Sequence, residues 1–441
     1  MNSTITKSKW LILREIYSLF IRVFASFFLM KLIGPKEYGM YISAVNVITF
    51  ATAVSQMGVN VFLVKETRCA DTIKQSFTFS LVCSIIATFI CYALTMLFFK
   101  GLITIFLVLI PVIIIGNLRV TSLGILEKNV DYKKISIIEL NTQIIFYIAS
   151  FFLYTYGSIG LGISYLLSIL YNSTHTFFSS PIPICLKMPS KKMIKFGITY
   201  SFSNLCLQSK NLINILLMPI VGATNVGKIS FAMKLCDGAN IIKDTTRRVS
   251  LKTFSSKNFS INSVNKAILF QVFSVSSIMI FIIFILPFIS IAMGKNWCDK
   301  QDLVLFTAIF YSINSFFTIQ YFFLTIKEKN IANGFYLLLQ NTLIIVVTKL
   351  LFNSMDVYAY GVALITANVA GVIPILQLKS HKLSYKKPIF YLLIFISLAI
   401  LSKFIWWSPI LSLCLIFFID TKEILSFLMM MFFRRVKIEN N

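Results

Sequence analysis

Acidic residues are scarce in this chain. Its 441 residues include 16 Asp and Glu against 41 Lys and Arg, and only two histidines, His175 and His381. No H-x-x-x-H, no G-x-S-x-G and no close carboxylate pair occurs, so the usual metallohydrolase, serine-hydrolase and two-carboxylate chemistries lack their residues. The eight cysteines, Cys69, Cys83, Cys91, Cys185, Cys206, Cys236, Cys298 and Cys414, form no C-x-x-C pair and mostly lie inside apolar runs. That excludes a disulfide framework and a zinc site, and no metal or cofactor is expected. Charged residues make up 13%, about half the share of a soluble domain. Loops are short as well, and none has room for a soluble catalytic domain.

Apolar residues are what the chain has in excess: 57% of the total, with a mean hydropathy of +0.83. A water-soluble core cannot bury that fraction, and the sequence reads as an all-α polytopic membrane protein. Apolar runs mark twelve spans: 11–33, 40–64, 76–99, 102–124, 135–154, 159–180, 194–220, 226–249, 267–293, 303–326, 334–352 and 357–378. Two weaker ones follow at 388–405 and 407–420, giving fourteen. The first run follows a basic N-terminus without a small-residue cleavage site and reads as a retained helix. The net charge of +25 is explained by topology rather than by nucleic acid. With the N-terminus in the cytoplasm, 28 of the 41 basic residues fall on the cytoplasmic side and 6 on the other, as the positive-inside rule requires. The C-terminus is then cytoplasmic too, and Thr421 to Lys437 reads as an amphipathic helix on that face.

The chain also repeats. Leu32-Ile33-Gly34-Pro35-Lys36-Glu37-Tyr38-Gly39 follows span 1, and Ile220-Val221-Gly222-Ala223-Thr224-Asn225-Val226-Gly227 follows span 7; both read apolar-apolar-G-x-x-x-x-G. Ile125-Leu126-Glu127-Lys128-Asn129 after span 4 matches Ile326-Lys327-Glu328-Lys329-Asn330 after span 10, and Gly160 matches Gly361. Six spans per repeat place two parallel halves around a central cavity, with the C-terminal helices added, which is the architecture of an alternating-access carrier. The expected divisions are 1–185, 186–380 and 381–441.

Charges inside spans are costly, at least about 2.5–3.5 kcal/mol at a helix centre, and mark wet paths. Arg22 lies mid-span in span 1, and its repeat partner is Lys210 in span 7, so the two form a candidate anion site. Arg119, two turns inside span 4, extends it or snorkels. Gln56, Asn60, Gln143 and Gln208 are candidate sugar contacts, with helix–helix glue as the alternative. Glu15, Glu139 and Asp237 are the carboxylates available for ion coupling; Asp237 shares a helix face with Lys234. The run Gly222 to Lys228 spells the start of a P-loop but continues with Ile229 instead of Ser or Thr, and joins two spans. It is a chance match. The sequons at Asn2, Asn172 and Asn258 fall inside the cell or the membrane.

The Leu32–Tyr41 segment, the Ser55-Gln56-Met57-Gly58-Val59-Asn60 segment and the second-half echo Val221–Gly227 together resemble the polysaccharide-transporter branch of the MOP superfamily, nearest to bacterial O-antigen flippases of the Wzx type. The resemblance implies a carrier, not an enzyme, in the bacterial inner membrane. Its cargo would be an O-antigen repeat unit on undecaprenyl diphosphate, moved to the periplasmic leaflet, with membrane lipid and other polysaccharide-assembly proteins as partners. A cationic cavity suits that cargo, because diphosphate accepts strong hydrogen bonds from Arg and Lys. The competing readings are a multidrug or cation antiporter of the same superfamily, and a membrane glycosyltransferase or O-antigen polymerase.

Overall fold

A computed structural model describes residues 25–402, together with Tyr17 and Ile21, except 66–69, 130, 183–185, 240–242, 244–245, 247–260, 299–300, 327–329 and 379–382. The described residues are helical almost throughout, without a strand. In hydrocarbon no water is available to satisfy backbone N–H and C=O groups, so an apolar chain closes its hydrogen bonds within each helix. Eight helical stretches among the described residues are long and apolar enough to cross a membrane. Phe152, Phe98, Leu97 and Leu350 are about 70% exposed, an exposure that suits lipid and not water. The inner surfaces are lined instead by small polar residues. Ser43, Ser164 and Thr348 are fully buried and turn their hydroxyls back onto the carbonyls of Gly39, Gly160 and Ile344 at 2.6–2.8 Å, which satisfies the hydroxyl and lets helices approach. The chain is a multi-pass all-α membrane protein.

By its internal contacts the chain divides into two compact units, residues 1–228 and 229–441. The first contains α1 (25–33), α2 (Pro35–Ser55), α3 (Val59–Lys65), α4 (Ala70–Phe98), α5 (Ile103–Leu109), α6 (Pro111–Leu118), α7 (Val120–Lys128), α8 (Tyr132–Leu153), α9 (Gly157–Ser179), α10 (Lys191–Gln208) and α11 (Ile213–Val221), and the beginning of α12 (Ala223–Cys236). The second contains the rest of α12, then α13 (Ile261–Met293), α14 (Asp302–Ile326), α15 (Asn330–Met355), α16 (Tyr358–Ala367), α17 (Val372–Leu378) and α18 (Lys386–Leu401). Its core joins Val264, Ile268, Phe316, Phe323, Tyr336 and Tyr391. The expected span at 407–420 and the amphipathic tail lie outside the described residues.

Four of the expected spans are broken helices, among them 357–378, where a 3-10 turn, Asn368–Gly371, separates α16 from α17. The run 40–64 is interrupted between α2 and α3 by Met57 and Gly58, both with positive φ (49° and 63°). The run 102–124 breaks at Ile110, where Pro111 opens α6, and again at Arg119. The run 194–220 contains a 3-10 turn, Ser209–Leu212, between α10 and α11. Hydropathy averages over such breaks because the flanking residues remain apolar. The two G-x-x-x-x-G repeats adopt one conformation: Gly34 precedes α2 with φ 85° and ψ 162°, and Gly222 precedes α12 with φ 81° and ψ 157°. They also meet. A Cβ on Gly39 would lie 2.0 Å from the carbonyl oxygen of Ala223, and one on Gly227 would lie 2.0 Å from that of Pro35. Only glycine permits backbones so close.

Candidate functional site

The interior of the first unit holds a cluster of polar and charged side chains drawn from α2, α3, α7, α8 and α9. Arg119 sits at the α6–α7 junction. Its Nη1 donates to Asn172 Oδ1 on α9 at 2.5 Å, and the same oxygen accepts from Thr176 Oγ1 at 3.3 Å. Glu139, Tyr165 and Glu127 act electrostatically on the guanidinium. Glu127 accepts a side-chain hydrogen bond from Asn60, which ties α7 to α3. Tyr165 is hydrogen-bonded to Thr49 of α2. Nearby, Asn117 Nδ2 donates to Ser55 Oγ at 2.8 Å. The Nε of Arg119 is buried and has no hydrogen-bond partner among the described residues, leaving one donor of a strong cation unused there.

Arg119 is held by hydrogen bonding to Asn172, and the Glu127 and Glu139 carboxylates act on its charge. From the sequence Arg119 either extends a cationic surface or snorkels, and Glu139 is a candidate for ion coupling; in the fold Glu139 acts electrostatically on Arg119. Glu127, Asn172 and Tyr165 were not singled out from the sequence. Glu127 was visible only as part of a repeat, and Asn172 only as a chance sequon, although an Asn inside an apolar run was the available signal.

A second group of elements concerns span 7. The inward face of α10 packs on α2 at its break. Asn204 Nδ2 donates to the Ala53 carbonyl at 2.7 Å, and Ser201 Oγ to the Val54 carbonyl at 3.2 Å. These are carbonyls near the end of α2, where the helical ladder stops. The ring of Tyr200 covers Gly58, where a Cβ would meet it at 2.5 Å. Lys210 lies in the 3-10 turn that follows, is exposed, and has no hydrogen-bond or ion-pair partner among the described residues. Gln208 Oε1 accepts from Asn211 Nδ2 at 2.8 Å, Gln56 caps the end of α2, and Gln143 stands one turn beyond Glu139 on α8. Arg22 and Glu15 lie outside the described residues.

In the second unit, Asp237 accepts from Tyr311 Oη at 3.2 Å. Lys243 lies over the Tyr311 ring, 4.7 Å from its centroid, and donates to Asn314 Oδ1 at 3.1 Å; Asn314 Nδ2 in turn donates to Tyr336 Oη at 3.2 Å. The Asp237 carboxylate is therefore part of a network from α14 and α15 that its neighbours in sequence do not reveal. Among the described residues no group of three or more His, Cys, Asp or Glu is placed to hold a metal ion.

Residues 28–302 match the family described as polysaccharide biosynthesis protein. No curated protein matches the sequence. In fold the chain is similar to a structure of lipid II flippase MurJ in an inward closed conformation, with a TM-score of 0.67 and 15% identity over 95% of this chain and 98% of that one. It is also similar to an inward-facing multidrug-resistance MATE family transporter of the MOP superfamily, with a TM-score of 0.66 and 14% identity over 83% and 94%. A MOP superfamily transporter from Pyrococcus furiosus, described as having a binding pocket of reverse polarity, gives 0.55 at 14% identity over 86% and 94%. At these identities the likeness establishes the fold.

Proposed function

The chain belongs to the polysaccharide biosynthesis protein family, and on that premise we propose that it is a flippase for lipid-linked oligosaccharide. In this reading it carries O-antigen repeat units on undecaprenyl diphosphate across the bacterial inner membrane by alternating access between its two six-span halves, with both termini in the cytoplasm. The observation that carries the reading is the family match on a chain built of membrane helices. A polysaccharide-assembly protein of that construction works on material in the bilayer, and the repeat unit on its lipid is the form in which polysaccharide is there. Lys210 supports an anionic cargo, since an exposed, unpartnered amine in the middle of span 7 is best accommodated by a wet path. The similarity in fold to a lipid II flippase agrees with it.

Arg22 and Lys210 are assigned to the diphosphate. Arg119 is assigned a weaker share, because Glu127 and Glu139 already compensate its charge. Glu139 and Asp237 are assigned to ion coupling. The antiporter reading retains one specific observation in its favour, the carboxylates gathered in the membrane interior of the first unit. Complementation separates the two. In a bacterium lacking its own O-antigen flippase and supplied with the matching sugars, the chain restores surface polysaccharide and Lys210→Ala reduces it at equal membrane abundance. Drug resistance without restored polysaccharide would replace the flippase reading with the antiporter.

A further inference from the structure

The breaks at Met57–Gly58 and at Arg119 lie side by side. Asn117 Nδ2, near the end of α6, donates to Ser55 Oγ, on the last residue of α2, at 2.8 Å. Each break frees a carbonyl, and a neighbouring helix takes it. A regular ladder would pair the Met57 N–H with the Ala53 carbonyl. It turns to Val54 instead, at 3.3 Å, and Asn204 of α10 donates to Ala53 at 2.7 Å. In the same way the Arg119 N–H turns from Ile115 to Asn117, and Ser173 Oγ of α9 donates to the Ile115 carbonyl at 2.7 Å. A side chain inserted into the ladder kinks a helix. Directional bonds thus fix α2 to α10 and α6 to α9 just before the breaks.

Beyond the breaks, α3 and α7 are bonded to each other. Gly124 of α7 approaches the α3 backbone so closely that a Cβ would lie 3.1 Å from Asn60 Cα. Asn60 donates to the Glu127 carboxylate, and Lys128 Nζ donates to the Leu63 carbonyl at 3.1 Å. Towards α4 and α10 the pair presents apolar side chains. Val59, Phe62 and Val120 pack with Phe79 and Met193, and the Phe62 ring lies 5.4 Å from that of Phe196. Contacts of this kind slide at little cost in a bilayer, whose tails are as apolar as the side chains, whereas hydrogen bonds between helices persist. Thr121 and Ser122 of α7 are fully buried, and their hydroxyls have no hydrogen-bond partner among the described residues. Each is a cost that a second position of the pair can remove.

We propose that α3 and α7 form a single lid, which swings about the paired breaks while α2 and α6 stay in place and so opens and closes the end of the first unit remote from the Gly34 turn. Resting on the flippase reading, the lid is the gate of one mouth of the transport path.

The test is hydrogen exchange of the full chain in phosphatidylcholine nanodiscs. Asn60→Leu removes the donor to Glu127, a charge-assisted bond worth about tenfold in a local opening equilibrium. Exchange therefore rises about tenfold in α3 and α7 together and stays unchanged in α2 and α6; Lys128→Met gives the same pattern. A rise confined to α3, or one spread over α2 and α6, overturns the lid. Spin-label distances check the swing itself, in a chain whose native cysteines are replaced by serine. Asn129→Cys with Thr174→Cys, from the end of α7 to α9, gives two distances or one that changes when undecaprenyl diphosphate is added. Val61→Cys with Asn129→Cys, within the lid, gives one that does not change. A single unchanging distance for both pairs overturns the proposal. Neither readout needs transport. A lid that swings in a chain that never restores polysaccharide survives the loss of the flippase reading, and restored polysaccharide with a static lid removes the lid alone.

Discussion

Replacing Arg119 with Gln tests whether the polar cluster of the first unit is a compensated charge group. The substitution keeps a hydrogen-bonding side chain of moderate length but removes the positive charge on which Glu127 and Glu139 act, and the guanidinium donor to Asn172. Removing the charged donor of a buried hydrogen bond costs about 1–3 kcal/mol, and the carboxylates that act on the guanidinium lose its charge. At roughly 2–4 °C per kcal/mol, the thermal midpoint in detergent falls by about 2 °C or more. The same reasoning requires rescue. Adding Glu139→Gln to Arg119→Gln removes part of the uncompensated charge and returns more than half of the loss, whereas Glu139→Gln alone gives no comparable gain. The readout is a thermal melt of the four purified proteins as a double-mutant cycle. A melt of Arg119→Gln within a degree of wild type would show the guanidinium to be solvated and unpaired; additive losses in the cycle would show that it and Glu139 do not interact.

Gly39→Ala and Gly227→Ala each place a methyl group against a carbonyl oxygen of the facing helix and are expected to destabilise by about 1–3 kcal/mol through overpacking. The pair together should cost less than the sum, because one separation of the helices relieves both clashes; melts of the single and double variants check this. Asn204→Leu removes the donor to the Ala53 carbonyl and leaves that oxygen unsatisfied, a loss of about 1–3 kcal/mol, while Asn204→Gln with its longer amide loses less. Protease sensitivity near Met57 should rise in the Leu variant and not in the Gln variant.

Much of the architecture was legible because hydropathy is a local property. A run of apolar residues too long and too uncharged for water becomes a membrane helix whatever surrounds it, so the spans 76–99, 102–124, 135–154, 159–180, 267–293, 303–326, 334–352 and 357–378 coincide with helical stretches able to cross a membrane. The glycine repeat was legible for a similar reason. Gly34 and Gly222 require left-handed φ in their own backbones, and the residue type announces it. At the Met57–Gly58 break the glycine was visible, but the positive φ of Met57 was not, since methionine does not announce one.

What the sequence alone determined is therefore the membrane-helical class and the equivalence of the two glycine turns. Only the tertiary structure decided which polar residues meet: Arg119 with Asn172 and the carboxylates of Glu127 and Glu139, Asp237 with Tyr311, and Asn204 with a carbonyl of α2. The physical reason lies in the solvent. In water, amphipathic periodicity tells which face of a helix turns inward. In lipid the outer face is as apolar as the inner one, as Phe202 and Leu205 on the open side of α10 show against Met193 on its packed side. The rotation of each helix about its axis is then set by close packing of small residues and by hydrogen bonds between helices, and those pairings join positions far apart in the chain.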